Sequence, residues 1–398
     1  MPDFDYGRFC DRLTAMKRRR RLRAFGPSAN GRIEAASGPL INFASNDYLG
    51  LARHPEVIRR AQAFAGEWGT GAGASRLVCG TLAIHEAVED KIARGKGTET
   101  ALVFASGYQT NVSVLAALLD AKALGGEPLV LCDRLNHASL HDGCRMAGVR
   151  ETRYRHNDPA HLEDLLRTHR RAGQPCFILS ETVFSMDGDR ADVAALAALA
   201  RRFDAFLYLD EAHATGVLGR GGFGLAADFP GEAGLVMGTF SKALGSFGAY
   251  VACSAGIRDY LVNRCGGFIY STALPPPVLG AVDAALDLLP GFDAARARLQ
   301  QMAAKLRDSL RASGLDCGAS STQIVPMIVG DEDAALDLAR GLEEEGILAA
   351  GIRPPTVPLG TARVRFSVTA GHSDADIARL IEAVPRLAAA AAIREAAV

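Results

Sequence analysis

A single lysine stands among small residues in Gly238-Thr239-Phe240-Ser241-Lys242-Ala243-Leu244-Gly245-Ser246-Phe247-Gly248. Apolar runs flank it, Leu235-Val236-Met237 before and Tyr250-Val251-Ala252-Cys253 after, so the amine belongs to the edge of a strand. Withdrawn from water, a lysine gives up its proton more readily and can attack an aldehyde to form a Schiff base. Taken alone, a lysine beside glycines fits a solvated loop equally well, and other residues must carry the case for chemistry. Asp210 closes another apolar run, Phe206-Leu207-Tyr208-Leu209, and His213 follows three positions later. A carboxylate so placed could hold a proton on a ring nitrogen, and a protonated ring draws electrons from a neighbouring carbanion. The ordinary alternatives are an aspartate capping the next turn and a histidine satisfied within the fold.

Such groups need a frame to bring them together. From about residue 100 short apolar runs recur: Ala101–Phe104, Leu129–Cys132, Cys176–Leu179, Phe206–Leu209 and Leu235–Met237, with helical stretches between them. Ala191–Ala200 shows the apolar spacing of a helix packed on a sheet. The alternation predicts an α/β protein with an open, mainly parallel sheet covered by helices. Sheets of this kind bind ligands at the carboxyl ends of their strands. Here the runs end in polar groups: Ser106-Gly107-Tyr108, Asp133, Ser180-Glu181, Asp210-Glu211-Ala212-His213, Thr239 and Lys242.

A pyridine aldehyde bearing a phosphate would use the rest of that rim. Backbone N–H groups at a helix start hold phosphate, and Ser106-Gly107-Tyr108 ahead of the helical Gln109–Leu119 offers them. Thr239 could add a hydroxyl, and His137 could lie flat on the ring. His137 and His141 also have a metal-pair spacing, but Ala138 stands where a zinc-binding helix carries glutamate, so no metal is expected. The Gly-rich stretch Gly69–Arg76 follows no β-branched strand and is not read as a dinucleotide site.

Composition narrows the field further. The chain has 398 residues, 48% of them hydrophobic, and a net charge of -1, so it has room for two cores and no overall field for nucleic acid. No stretch has the length of a membrane span, and no apolar leader with a cleavage site opens the chain, so a cytoplasmic protein is expected. The eight cysteines lack CxxC spacing and read as reduced thiols. The basic run Lys17-Arg18-Arg19-Arg20-Arg21-Leu22-Arg23 reads as a solvated helix face, or as a site where one arginine closes over an anionic substrate. Towards the C-terminus, Gln300–Leu310 and Ala334–Glu345 read as helices, Ile324–Val329 as a strand, and Ala388–Ala392 as a helical tail. Arg363-Val364-Arg365-Phe366-Ser367-Val368 alternates strictly, which places Arg363, Arg365 and Ser367 on one strand face. The expected organisation is a helical segment and strand over 1–45, a large cofactor-binding domain over 46–285, and a small α+β domain over 286–398.

The ordered motifs Ser45-Asn46-Asp47-Tyr48-Leu49-Gly50, Asn136-His137-Ala138-Ser139, Val183-Phe184-Ser185-Met186-Asp187-Gly188-Asp189, Asp210-Glu211-Ala212-His213-Ala214-Thr215-Gly216-Val217 and Thr239-Phe240-Ser241-Lys242 resemble the α-oxoamine synthases. Those are fold-type I pyridoxal 5'-phosphate enzymes of the class II aminotransferase-like group, and the resemblance runs from about residue 40 onward. It implies that Lys242 carries the cofactor and later moves a proton, that Asp210 pairs with the ring nitrogen, and that His137 stacks on the ring. It also implies that His213 and Ser185 address the ring hydroxyl, and that Gly107, Tyr108 and Thr239 hold the phosphate. By the same resemblance Arg21, Asn46, His137, Arg353, Thr356 and Arg365 are candidates for substrate contacts. Ser271 and Thr272 look like a phosphate contact given across a homodimer interface. The stretch Ile352–Arg363 is similar to members that join L-alanine to a pimeloyl thioester, carried on coenzyme A or acyl carrier protein. Sister enzymes that use serine or glycine, and a non-catalytic subunit of the same fold, are the alternatives. Cys79 and Ser241 depart slightly from the family's pattern, which bears on substrate fit rather than on the chemistry.

Overall fold

The computed structural model describes residues 6–16 and 18–396. Its centre is a seven-stranded sheet of β1 (Thr100–Phe104), β2 (Leu129–Asp133), β3 (Thr152–Tyr154), β4 (Cys176–Glu181), β5 (Phe206–Asp210), β6 (Leu235–Thr239) and β7 (Ala249–Cys253), in the spatial order β1-β7-β6-β5-β4-β2-β3. β2 to β6 pair in parallel, and only β7 runs against its neighbours β1 and β6. The apolar runs are therefore strands, buried on both faces as parallel strands are. Leu102, Phe104 and Val251 pack on Val114, Leu115 and Leu118 of the helix Gly107–Leu118. On the other face Ile178, Leu207 and Leu209 pack on Leu196 and Leu199 of the helix Val193–Arg202. That helix starts two residues later than the apolar spacing predicts, because the Asp192 side chain caps it by accepting from Ala195 N.

The turn from β6 back into β7 holds Lys242. Ala249 pairs with Thr239, and Phe240 N donates to Gly248 O, so residues 240–248 form a closed hairpin loop at the carboxyl end of β6. Gly245 has φ +63, and a Cβ there would stand 2.1 Å from Ala52 N. Only glycine lets this loop lie against the Leu51–Ala52 backbone.

Past the sheet, β8 (Ile324–Gly330), β9 (Ala350–Ile352) and β10 (Ala362–Ser367) form an antiparallel sheet in the order β8-β10-β9. The helices Asp293–Ala312 and Glu332–Glu344 pack against it, Asp374–Ala396 packs on both of them, and the expected tail is the end of that last helix. Both faces of β10 are buried, because its polar face turns toward the large sheet's loops rather than toward water. An N-terminal hairpin, Arg32–Ala35 and Gly38–Asn42, is extended by Ile347–Leu348 in parallel beside its second strand.

The basic run departs from the helical reading. The helix Tyr6–Ala15 ends before it, Lys17 lies outside the described residues, and residues 18–23 have no regular structure. Arg18 pairs with Glu332 at 2.6 Å and Arg23 with Glu343 at 2.5 Å, so carboxylates of the helix Glu332–Glu344 hold the segment as an irregular strap. Among the described residues no helix is long and apolar enough to cross a membrane.

Candidate active site

At the carboxyl rim of the large sheet lies a cavity of about 260 Å³, lined by residues from five strand ends and the helix start at Gly107. Lys242, Asp210, His213, His137, Gly107, Tyr108 and Thr239 all line it, joined by Ser106, Asn111, Ser139, Glu181 and Ser241.

Each is held by local structure. Ser106 caps the helix Gly107–Leu118, its Oγ accepting from Gln109 N at 3.3 Å, so the first-turn N–H groups and the positive helix end face the cavity. Tyr108 reaches out to Asp142 at 2.5 Å, and Thr239 donates to Gly248 O at 2.9 Å. Asp210, at the end of β5, accepts from Ala212 N at 2.8 Å and from Asn111 Nδ2 at 2.7 Å. Two donors fix the orientation of this buried carboxylate. His137 caps the helix Ala138–Met146 and presents an exposed ring to the cavity, while His141 turns away to Glu151 at 3.2 Å.

Lys242 Nζ lies 2.8 Å from His213 Nε2, and His213 Nδ1 lies 2.7 Å from the Tyr48 hydroxyl. Tyr48 also meets Asn46 Oδ1 at 3.1 Å, and Arg365 Nη2 donates to the same Asn46 oxygen at 3.1 Å. A chain of contacts thus runs from an arginine on β10 to the lysine of the β6–β7 loop. Burial brings the Lys242 amine down to about 8; Asp210 and Glu181 oppose the shift and Arg365 adds to it. Burial, with Lys242, Arg365 and His137 beside it, holds His213 well below the usual imidazole range, so the ring is neutral. The site therefore offers an amine that is readily deprotonated, next to a neutral imidazole. Arg365 is buried, and its Nε finds no partner among the described residues. An orphaned guanidinium donor at this depth fits a site built for an anion.

The other expected residues lie elsewhere. Ser185 is buried in the turn after β4 but does not line the cavity. Arg363 ties β10 to that turn through Asp187 at 2.5 Å. Arg353 lines a separate groove of about 920 Å³ along the helix Tyr6–Ala15, with Phe9, Leu13 and Pro355, while Arg21 and Thr356 are exposed. Ser271 accepts from Gln109 Nε2 at 2.7 Å, Thr272 is exposed, and neither lines this chain's own cavity. Sequence reasoning gave no role to Tyr48, Asn111, Ser139 or Glu181. The signal for Asn111 was a polar residue among Val114, Leu115 and Leu118 on a buried helix; Tyr48 stood inside a motif already singled out.

A half-buried lysine, a doubly held carboxylate and a helix start, gathered at one rim of a mainly parallel sheet, define a pyridoxal-phosphate enzyme of fold type I. The chain belongs to the family described as aminotransferase class I and II, which it matches over residues 38–384. It is 59% identical to a putative 8-amino-7-oxononanoate synthase of Paramagnetospirillum magneticum, over 96% of this chain and 97% of that one. It is 57% identical to the 8-amino-7-oxononanoate synthase of Gluconacetobacter diazotrophicus, over 87% of each. It is similar to a solved serine palmitoyltransferase from S. paucimobilis with bound PLP-myriocin aldimine, with TM-score 0.89, 26% identity and 98% of both chains covered. Within the family it is a pyridoxal-phosphate-dependent acyltransferase of the α-oxoamine synthase group.

Proposed function

We propose that this chain is an 8-amino-7-oxononanoate synthase, joining L-alanine to a pimeloyl thioester with loss of carbon dioxide and of the thiol carrier, in biotin biosynthesis. The observation that carries the chemistry is the Lys242 amine at the sheet rim, whose hydrogen-bond partner among the described residues is an imidazole rather than a carboxylate. Identity of 57% or more to relatives of that name, against 26% to the serine palmitoyltransferase, supports alanine and a pimeloyl group as substrates.

When bound, pyridoxal 5'-phosphate supplies an electron sink for the bonds broken at the amino acid's α-carbon. Lys242 holds the cofactor and, once released, takes the α-proton at Nζ. Asp210 keeps the proton on the ring nitrogen, helped by Asn111, which donates to Oδ2. His137 would cover one face of the ring, His213 would serve its hydroxyl side with Ser185 standing behind the cavity wall rather than in it, and Gly107, Tyr108 and Thr239 would bind the phosphate. Arg365, with its orphaned Nε, takes the alanine carboxylate together with Asn46. Arg21, Arg353 and Thr356 meet the acyl substrate. Ser271 and Thr272 complete the phosphate site of the partner subunit in a homodimer. Residues 46–285 form the cofactor-binding unit, with 286–398 closing over it, and the enzyme works in the cytoplasm without nucleic acid or membrane.

The test is direct: the purified enzyme is given L-alanine with pimeloyl-CoA, or with the pimeloyl carrier protein, and product mass and thiol release are followed. Serine with palmitoyl-CoA is the control, and turnover of that pair alone would overturn the assignment in favour of a sister enzyme. Arg365→Ala should raise the alanine KM by about tenfold or more, the worth of a charged hydrogen bond.

A further inference from the structure

Glu181 ends β4, and its side chain lines the cavity although no step above uses it. In the sheet it lies directly beside Asp210 on β5, so both side chains emerge on the same face. It is buried, and no ion pair among the described residues involves it. Its Oε1 accepts the backbone N–H of His137 at 2.5 Å. The neighbouring Asn136 returns the contact, accepting from Glu181 N at 3.0 Å and donating to Leu179 O at 2.9 Å. The loop that bears His137 is thus laced to the end of β4.

The ring of His137 is tied separately. Its Nδ1 lies 2.7 Å from Ser139 Oγ, and Asn111 Nδ2 donates to that oxygen at 2.9 Å and to Asp210 Oδ2 at 2.7 Å. Asn111 is itself fixed by the Tyr208 hydroxyl at 2.7 Å. The imidazole and the Asp210 carboxylate are therefore joined through Ser139 and Asn111, while the peptide that carries the imidazole hangs on Glu181. A carboxyl buried without a cation, for one backbone N–H, is an expensive way to hold a loop. An expense of that kind is kept where geometry matters to function.

We propose that Glu181 is a positioning residue that sets the spacing between the His137 ring and the Asp210 carboxylate, and so the fit of the slot in which the cofactor ring lies. The inference rests on the cofactor assignment above. Burial, and then Asp210, push the Glu181 carboxyl well above the ordinary range.

The experiment uses the full-length holoenzyme and reads two properties of bound pyridoxal phosphate, its dissociation rate and its visible circular dichroism. His137→Ala and Glu181→Ala should each speed cofactor release by about tenfold. The double variant should be no faster than either single one, because Glu181 acts through His137. Glu181→Gln keeps a carbonyl acceptor for the His137 N–H and should match the parent in both readouts. Glu181→Asp keeps the acid but is one methylene short, and should resemble His137→Ala even if the alanine variant does not fold. Additive effects in the double variant, or a Gln variant as impaired as the Ala variant, would overturn the role. A parent protein that binds no pyridoxal phosphate at all would instead overturn the assignment beneath it.

Discussion

Two lysines of this protein stand on opposite sides of the same turn, and they have opposite electrostatic fates. Lys96, the last residue of the helix Ala83–Lys96, donates to Glu211, with both side chains almost wholly buried, at 1% and 0% exposure. Its amine also lies 5.5 Å from the centre of the Tyr250 ring. Burial pulls this amine down, but Glu211 and Tyr250 more than offset it and leave it raised. Lys242 is enclosed too, yet its hydrogen-bond partner is a neutral imidazole, and its amine falls to about 8. Asp210 and Glu211 are adjacent in the chain; one faces the cavity and the other faces Lys96. A buried lysine with a carboxylate in contact is a structural cation, and a half-buried one at a cavity wall whose carboxylates stand off is a nucleophile.

The largest expected effect tests that division from the reactive side. Lys242→Ala should lower turnover by at least about a thousandfold and abolish the visible band of the bound cofactor. The urea midpoint of the apoprotein should stay level or rise, since an amine without a direct counter-ion is removed. A marked loss of apoprotein stability would break the comparison.

Lys96→Ala should act the other way round. Glu211, which also accepts from Ala226 N at 2.9 Å and Thr182 Oγ1 at 3.2 Å, is left without its cation. The expected loss is about 3–5 kcal/mol of unfolding free energy, read from urea denaturation. Lys96→Met combined with Glu211→Gln should recover more than half of it, because both charges leave and the amide keeps an acceptor for Ala226. If the double variant is as unstable as the single one, the pair is not what costs the energy.

His156 extends the structural class to a second cluster, lying 2.9 Å from Asp133 and 3.0 Å from Asp189. Burial disfavours its charge, but the two carboxylates raise it from 6.5 to about 10. The folded state therefore binds this proton more tightly than the unfolded one. The stability it supplies is complete below 6.5 and is lost as pH rises through about 10. His156→Ala should cost roughly 2–3 kcal/mol at neutral pH and flatten the decline in melting temperature between about pH 7 and 10. A parallel decline in both proteins would remove His156 as its source.

The smallest effect concerns protonation of Lys242 alone. Uptake of pyridoxal phosphate by the apoprotein requires the free amine, so its rate should climb with pH and reach half its plateau near 8. A midpoint near the ordinary lysine value would mean that the pocket does not lower this amine.

Much of the site is legible in the sequence. Four of the five strands that pair in parallel were readable because their apolar runs are continuous, whereas Thr152–Tyr154 is short and polar; the helix expected from Gln109 starts at Gly107, because Ser106 caps it. Lys242 and Asp210 stood out because strand ends are where ligands collect. The irregular strap of residues 18–23 was not legible, since a run of arginines looks the same whether water or Glu332 and Glu343 receives it. Lys96 was equally hidden: a lysine at a helix end ordinarily faces solvent.

The sequence alone determined the order of strands and helices, the residues at each strand end and the family they belong to, because period, caps and motif spacing are properties of neighbouring residues. The tertiary structure decided which of two adjacent acids meets a lysine, which arginine is left with an unpaired donor, and which polar side chains frame the slot. Tyr48 meets His213 across 165 residues and Arg365 meets Asn46 across 319. Contacts at that separation depend on how whole layers pack, and packing also sets the loss of water that turns one amine into a base and leaves another a cation.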